Sequence, residues 1–80
     1  MNVPKPVPYM ELYKIHIIQS GDRLDILSNK YLKSPKYWKL LAAFNGILDP
    51  ENLIIGAELK IPTLASAQKA TKKYPDYLSF

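Results

Sequence analysis

The 80-residue chain has 11 lysines and arginines against 7 aspartates and glutamates, no cysteine and one histidine. This length allows one domain with a small core, and the lack of cysteine excludes disulfides and thiolate metal sites. His16 with widely scattered carboxylates makes no zinc site, so neither a metal nor a cofactor is expected. No apolar run is long enough to span a membrane, and the net charge of +4 is weak evidence for nucleic-acid binding.

Residues 1–10 form a proline-rich N-terminal arm, in which Pro4, Pro6 and Pro8 favour extended backbone. One interpretation is a leader without fixed structure. The other is an extended arm that lies in the groove of a neighbouring subunit. The arm has no apolar stretch of the signal-peptide kind, which predicts synthesis in the cytoplasm without export.

The domain is expected to span residues 11–64 and to open on a strand over residues 12–19. Side chains alternate along a strand, so one face carries apolar residues only: Tyr13, Ile15 and Ile17. His16 lies on the opposite face. It is interpreted as a strand residue packed near the core, because the sequence shows no partner for catalysis.

Two helices are predicted between the strands. Asp22 is expected to cap the first helix, whose core stripe has spacings of three and four: Leu24, Leu27, Ser28 and Tyr31. Ser34 followed by Pro35 begins the second helix, and Gly46 ends it. The core stripe of the second helix is predicted to be Trp38, Leu41 and Ala42, with Trp38 largely buried between the helices and the sheet.

A loop that turns at Asp49-Pro50 leads to the second strand, where Leu59 and Ile61 alternate with charged residues. Residues 65–80 are predicted to be a C-terminal tail. Residues 65–73 would make a polar helix with little surface to bury, and the aromatic end has nothing of its own to pack on.

This order of elements resembles the LysM domain over residues 16–62. The resemblance is carried by five segments in the family's order: Gly21-Asp22-Arg23-Leu24, Lys30-Tyr31, Ser34-Pro35 with Trp38, Asn45-Gly46-Ile47-Leu48-Asp49-Pro50, and Leu53 with Gly56, Leu59, Ile61 and Pro62. It implies an α+β fold: a single βααβ domain with both helices on one face of a two-stranded antiparallel sheet, and with extended N- and C-terminal tails.

The chain departs from the LysM pattern at three positions. Arg23 stands where the family has threonine, and Ile55 stands where it has proline. Lys33 replaces the glycine that ends the first helix, so Lys33 is expected at positive φ at a cost of about 1 kcal/mol.

Most LysM domains bind N-acetylglucosamine chains of peptidoglycan or chitin. By resemblance, the binding groove would be formed by residues of two loops: Gly21, Asp22, Arg23, Leu24, Ile47, Leu48, Asp49 and Pro50. The alternative interpretation is that Gly21-Asp22 makes only a turn and a helix cap, which the fold requires whatever it binds.

Another group of LysM proteins serves in contractile phage tails and related injection machines. These proteins often carry Gly-Asp-Arg-Leu-Asp and a Tyr-Trp pair, as this chain does in residues 21–25 and 37–38. The resemblance therefore predicts a non-enzymatic structural adaptor of a phage tail or baseplate. It would be located in the virion and would contact tail-tube, hub or wedge subunits. A peptidoglycan-binding LysM module is the alternative.

Apolar residues beyond those that the small core needs are the candidate protein interface: Tyr13, Ile15, Ile17, Ile26, Leu40, Phe44, Tyr74, Tyr77, Leu78 and Phe80. No carboxylate pair or nucleophile–base arrangement indicates an enzyme. Four lysines recur across the turn between the helices: Lys30, Lys33, Lys36 and Lys39. They indicate either a solvated edge or a contact for an acidic protein surface.

Overall fold

The structure is a computed structural model that describes residues 13–77. Its elements in chain order are β1 (Tyr13–Ile17), α1 (Leu24–Leu32), α2 (Trp38–Asn45), β2 (Glu58–Pro62) and α3 (Leu64–Lys73). A short 3-10 turn precedes α2 at Pro35–Tyr37, and another follows α3 at Pro75–Tyr77. The two strands pair antiparallel, with Ile15 opposite Lys60 and His16 opposite Leu59. The predicted α+β fold with a two-stranded antiparallel sheet is confirmed.

The two faces of β1 differ as the alternation predicts. Tyr13, Ile15 and Ile17 point outward and are 43–47% exposed. His16 lies on the inner face, beside the buried Leu59 and Ile61 of β2. Among residues 13–77, the helices therefore pack on one face of the sheet and leave the other exposed.

The N-terminus of α1 differs from the prediction. Arg23, not Asp22, occupies the cap position, and its side chain makes no capping hydrogen bond. The Asp22 carboxylate is engaged before the helix begins, because it accepts a hydrogen bond from the Gln19 backbone N–H at 2.9 Å. At the other end, Lys33 has a φ of 66°, so the predicted left-handed residue at the end of α1 is confirmed.

The core stripe of α2 differs from the predicted one at Trp38. Leu41 and Ala42 are buried as predicted, whereas Trp38 is only partly buried against the core. Leu40, and Tyr37 just before the helix, are buried as well. Leu40 was expected to be a spare surface residue, and this prediction is wrong because its side chain is fully buried. The reason is that α2 contacts the Pro75–Tyr77 turn in addition to α1 and β2. This third contact buries more of the α2 surface than was predicted.

Residues 64–73 require a correction of the domain boundary. They form α3, in which Thr63 caps the first turn by accepting a hydrogen bond from the Ser66 N–H at 3.1 Å. Ala67 and Thr71 are buried on the domain and α3 contacts α1. The expected extended tail thus contains a helix that packs on its own chain. The residues of the N-terminal arm (1–10), together with Leu78 and Phe80, lie outside the described residues.

Candidate functional site

An open cleft of about 530 Å³ lies between the β1–α1 turn and the loop that follows α2. Its lining combines four of the predicted groove residues with three others: Asp22, Arg23, Leu24 and Pro50, joined by Asp25, Trp38 and Glu51. The two loops that the resemblance assigns to a ligand groove therefore meet in space. Gly21 does not line the cleft. It makes the preceding turn with a φ of 89°.

The remaining predicted groove residues line a neighbouring hollow of about 410 Å³ under the loop between α2 and β2. They are Ile47, Leu48 and Asp49. Ile47 is partly buried against the core, whereas Leu48 is 97% exposed. Seven of the eight predicted residues are thus divided between two depressions, and Gly21 lines neither.

Trp38 is the cleft residue that sequence reasoning placed elsewhere. It begins α2 directly after the 3-10 turn, and its ring packs against the core on one side while lining the cleft on the other. The Lys39 ammonium lies 6.0 Å from the Trp38 ring centroid. A partly exposed aromatic face beside polar groups is a surface on which a flat apolar ligand face can stack.

His16, Asp22 and Tyr31 form a hydrogen-bonded row behind the cleft. The His16 Nε2 lies 2.8 Å from the Asp22 carboxylate, and its Nδ1 lies 2.9 Å from the Tyr31 hydroxyl. In a neutral histidine, Nε2–H donates to the carboxylate and Nδ1 accepts from the hydroxyl. The bond from His16, followed by that from the Gln19 N–H, holds the pKa of Asp22 below its usual value, while partial burial opposes the shift.

Two of the three carboxylates that line the cleft, Asp22 and Asp25, accept hydrogen bonds from neighbouring groups. Asp22 is held by His16, and Asp25 accepts a hydrogen bond from the Arg23 guanidinium at 2.9 Å and another from the Ile26 N–H. Ion pairs as exposed as that of Arg23 and Asp25 contribute about 0.2–1 kcal/mol. The lining contains no serine, threonine, cysteine, lysine or histidine that would act as a nucleophile or base. The cleft presents carboxylates, one guanidinium and the Trp38 ring.

The predicted interface residues are distributed over several surfaces. Tyr13, Ile15, Ile17 and Ile26 are exposed. Phe44 is partly buried with its ring edge-on to Tyr13 at 6.1 Å, and the rings of Tyr74 and Tyr77 lie 6.0 Å apart at the end of α3. Two exposed residues were missed, Ile54 and its neighbour Ile55, 72% and 65% exposed. The signal available in the sequence was an adjacent apolar pair in a predicted loop.

The four lysines between the helices remain on the surface. The Lys30 and Lys36 ammonium groups lie 5.2 Å and 5.4 Å from the ring centroids of the tyrosines that follow them in the chain. Such contacts contribute about 0.5–1 kcal/mol at exposed sites. Lys30 and Lys36 therefore make local contacts with neighbouring rings, and the contact with an acidic protein surface stays a prediction.

Within residues 13–77, no helix has the length and apolar character needed to cross a membrane, and no cluster of acidic and histidine side chains is placed to hold a metal ion. The resemblance to LysM domains stays a prediction from the sequence segments. Comparison of the chain with protein-family models, with curated proteins and with solved structures finds no match.

Proposed function

We propose that this chain is a non-enzymatic docking module and, by its resemblance to LysM proteins of contractile machines, a structural adaptor of a phage tail or baseplate. The observation that supports docking is the outer face of the sheet, where Tyr13, Ile15 and Ile17 stand side by side and are 43–47% exposed. A single exposed apolar residue is ordinary on a protein surface. Three in succession on one strand face form a contiguous patch, which favours a protein contact.

The size of the patch indicates what kind of contact it makes. Complete burial of one such side chain contributes about 1.5–3 kcal/mol, so covering the exposed halves of three contributes about 3 kcal/mol. This corresponds to about a hundredfold in affinity, which is too little for a stable complex of two free proteins. It suits a subunit held in a larger assembly, where several weak contacts act together.

The C-terminal region gives the adaptor proposal less support than the sequence suggested. Because Ala67 and Thr71 of α3 are buried on their own domain, α3 is not a segment that needs a partner for its order. The adaptor assignment loses that support. It depends on the outer sheet face and on the resemblance.

The test replaces Ile15 with lysine in the full-length chain and measures its incorporation into purified tail particles by immunoblot. Ile15 is 46% exposed, so Ile15→Lys should leave the domain folded while placing a charge in the docking face. The matched control is Ile54→Lys, in the exposed loop before β2. We expect Ile15→Lys to be depleted from particles and Ile54→Lys to be incorporated normally. Normal incorporation of both variants would contradict the proposal.

Glycan binding is the second candidate, favoured by the Trp38 ring at the cleft. If it operates, soluble N-acetylglucosamine oligomers should quench or shift the fluorescence of Trp38, the only tryptophan in the chain. They should also shift the amide resonances of residues 21–25 and 50–51. We expect no saturable sedimentation with purified peptidoglycan, because Arg23 is larger and more polar than the family's threonine. Saturable sedimentation that Trp38→Ala abolishes would put glycan binding first.

A further inference from the structure

The outer edge of β2 is blocked at Lys60 and at Pro62. The Asn45 side chain accepts a hydrogen bond from the Lys60 N–H at 2.8 Å and donates one to the Lys60 carbonyl at 2.9 Å. These are the two bonds that a neighbouring strand would make to Lys60. Alternate residues of a strand face the same edge, so Pro62 also faces outward, and proline has no N–H to donate. The edge of β2 is therefore closed to regular pairing with another strand.

The outer edge of β1 is open among the residues that the structure describes. Ile15 lies opposite Lys60 in the register, so its backbone faces away from β2, and the backbone of Ile17 does the same. Within residues 13–77, neither of these backbones makes a hydrogen bond outside the ladder. Lys14 is exposed although it lies on the inner face, whereas the inner residues of β2 are buried. An unpaired strand edge of this kind accepts an added strand.

The order of apolar and polar residues in β1 is symmetric about Ile15. Tyr13, Ile15 and Ile17 face outward, and Lys14 and His16 face inward. When two copies of β1 pair antiparallel about a two-fold axis at Ile15, this residue meets its own counterpart and Tyr13 meets Ile17 of the second copy. The outward-facing residues are also the ones whose backbone groups face the open edge. One register therefore matches side-chain character and backbone donors and acceptors together.

Charge favours the same register. It places Lys14 opposite His16 of the second copy, in a pair without backbone hydrogen bonds, where side chains approach most closely. The Nε2 atom of His16 lies 2.8 Å from the Asp22 carboxylate. Within residues 13–77, Lys14 makes no ion pair of its own. Each Lys14 ammonium would therefore come near a carboxylate of the other copy, on both sides of the axis.

We propose that the β1 edges of two copies of this chain pair antiparallel about Ile15 and join the two sheets into one, in the strand order β2–β1–β1–β2. The two-fold axis is perpendicular to the sheet, so the helices of both copies lie on one face and the apolar outer faces merge on the other. Because the β2 edges at both ends are blocked, association ends at two copies and does not continue into a fibre.

The length of the contact predicts a reversible dimer. A strand of five residues is about 17 Å long, and pairing along such an edge is a smaller contact than the roughly 1,200–2,000 Å² buried in stable complexes. The dimer would present Tyr13, Ile15 and Ile17 of both copies to a docking partner as one surface. The inference does not rest on the docking function, since two isolated copies are sufficient for it.

The first test measures self-association of the isolated full-length chain by sedimentation equilibrium, with amide hydrogen exchange at the same concentrations. We expect the average mass to rise with concentration from one chain towards two and not beyond. Exchange at the Ile15 and Ile17 amides should slow by about tenfold as the dimer fills. The His16 amide, which faces β2, should be equally protected at every concentration.

The second test places charges on the axis. Ile15→Lys and Ile15→Glu each bring like charges together in the dimer, so each variant alone should self-associate about tenfold more weakly. An equal mixture of the two should restore association, because opposite charges then meet at the axis. Misfolding would not be rescued by mixing. The matched control is the pair Ile26→Lys and Ile26→Glu, at a position on α1 that is 53% exposed, which should leave association unchanged alone and mixed.

Several results would overturn the proposal. They include a single-chain mass up to millimolar concentration, and a mixture of the Ile15 variants that associates no better than either alone. Protection of the Ile15 amide that does not depend on concentration would assign the edge to another part of the same chain. Protection found only in tail particles would assign it to a different protein. Masses above two chains would contradict the blocked β2 edge. These readouts use the isolated chain or its amides, so failure here is distinguishable from failure of the docking function.

Discussion

Asn45 joins the end of α2 to the middle of β2, so its removal is a direct test of how the small domain is held together. Its amide nitrogen donates to the Leu41 and Lys60 carbonyls, each at 2.9 Å, and its oxygen accepts from the Lys60 N–H at 2.8 Å. Asn45→Ala removes three hydrogen bonds at once. It leaves both backbone groups of Lys60 without their side-chain partner.

The expected loss follows from the exposure of these groups. One hydrogen bond contributes about 1 kcal/mol net, and water replaces part of that where the freed groups are exposed. Since Lys60 lies at the surface and Asn45 is only partly buried, we expect Asn45→Ala to cost about 2 kcal/mol. A domain of this size has about 4–12 kcal/mol of stability in total. The melting temperature should then fall by about 10 °C.

The assay is urea unfolding followed by the fluorescence of Trp38. The matched control is Asn52→Ala, because Asn52 makes one side-chain hydrogen bond, to the Asp49 carboxylate at 2.7 Å, in an exposed loop. We expect the control to change stability by about 0.5 kcal/mol or less. If Asn45→Ala costs no more than Asn52→Ala, the Asn45 amide does not stabilise the contact between α2 and β2.

Three further outcomes follow from individual residues. The urea midpoint should fall as the pH drops from the ordinary aspartate pKa of 3.8 through the lowered folded-state pKa of Asp22, because protonation removes the carboxylate that accepts from His16. Asp22→Asn should flatten this pH dependence. An unchanged dependence in the variant would show that another group causes it. Leu40→Ala should cost about 2–5 kcal/mol and Ile26→Ala about 0.5 kcal/mol or less in the same assay; equal losses would contradict the core assignment. Lys33→Gly should raise stability by about 0.5–1 kcal/mol by relieving a left-handed backbone, whereas a lowered melting temperature would show that Lys33 is not strained.

The faces of the strands were predictable because successive side chains of a strand point to opposite faces of the sheet. Tyr13, Ile15 and Ile17 could only share a side, and the buried Leu59 and Ile61 of β2 could only share the opposite one. Lys33 was predictable only through the resemblance, because it stands where the LysM family has the glycine that ends the first helix. The strand faces are decided by local geometry, whereas the conformation of Lys33 was inferred by comparison.

The buried side of the second helix could not be predicted in this way. Two stripes with helical spacing run along it and share Leu41: one begins at Trp38, and the other runs from Tyr37 through Leu40 to Phe44. Periodicity does not rank them. The buried side includes Leu40 of the second stripe and Ala42 close to the first. The Pro75–Tyr77 turn also contacts α2, and this contact comes from a part of the chain that was predicted to be a tail.

The third helix was discounted because it lacks large apolar residues. Its buried positions are small, Ala67 and Thr71, and the Thr71 hydroxyl is satisfied by the Ala67 carbonyl one turn earlier at 2.9 Å. Small side chains allow a helix to approach closely, so contact is gained from proximity more than from side-chain area. A cap at Thr63 and lysines in the last turn add to its stability.

The Gly21-Asp22 turn shows why a recognised segment does not by itself decide between the two functions. From the sequence, His16 lacked a partner and Asp22 was assigned to a helix cap. In the structure, the Asp22 carboxylate accepts hydrogen bonds from the His16 ring and the Gln19 N–H, so it holds the β1–α1 turn whatever the cleft binds. Substitution of Asp22 would disturb the turn and the cleft together and would weaken either function. Trp38 lines the cleft from a different element, so its loss separates glycan binding from docking on the outer sheet face, where Ile15 is the residue to change.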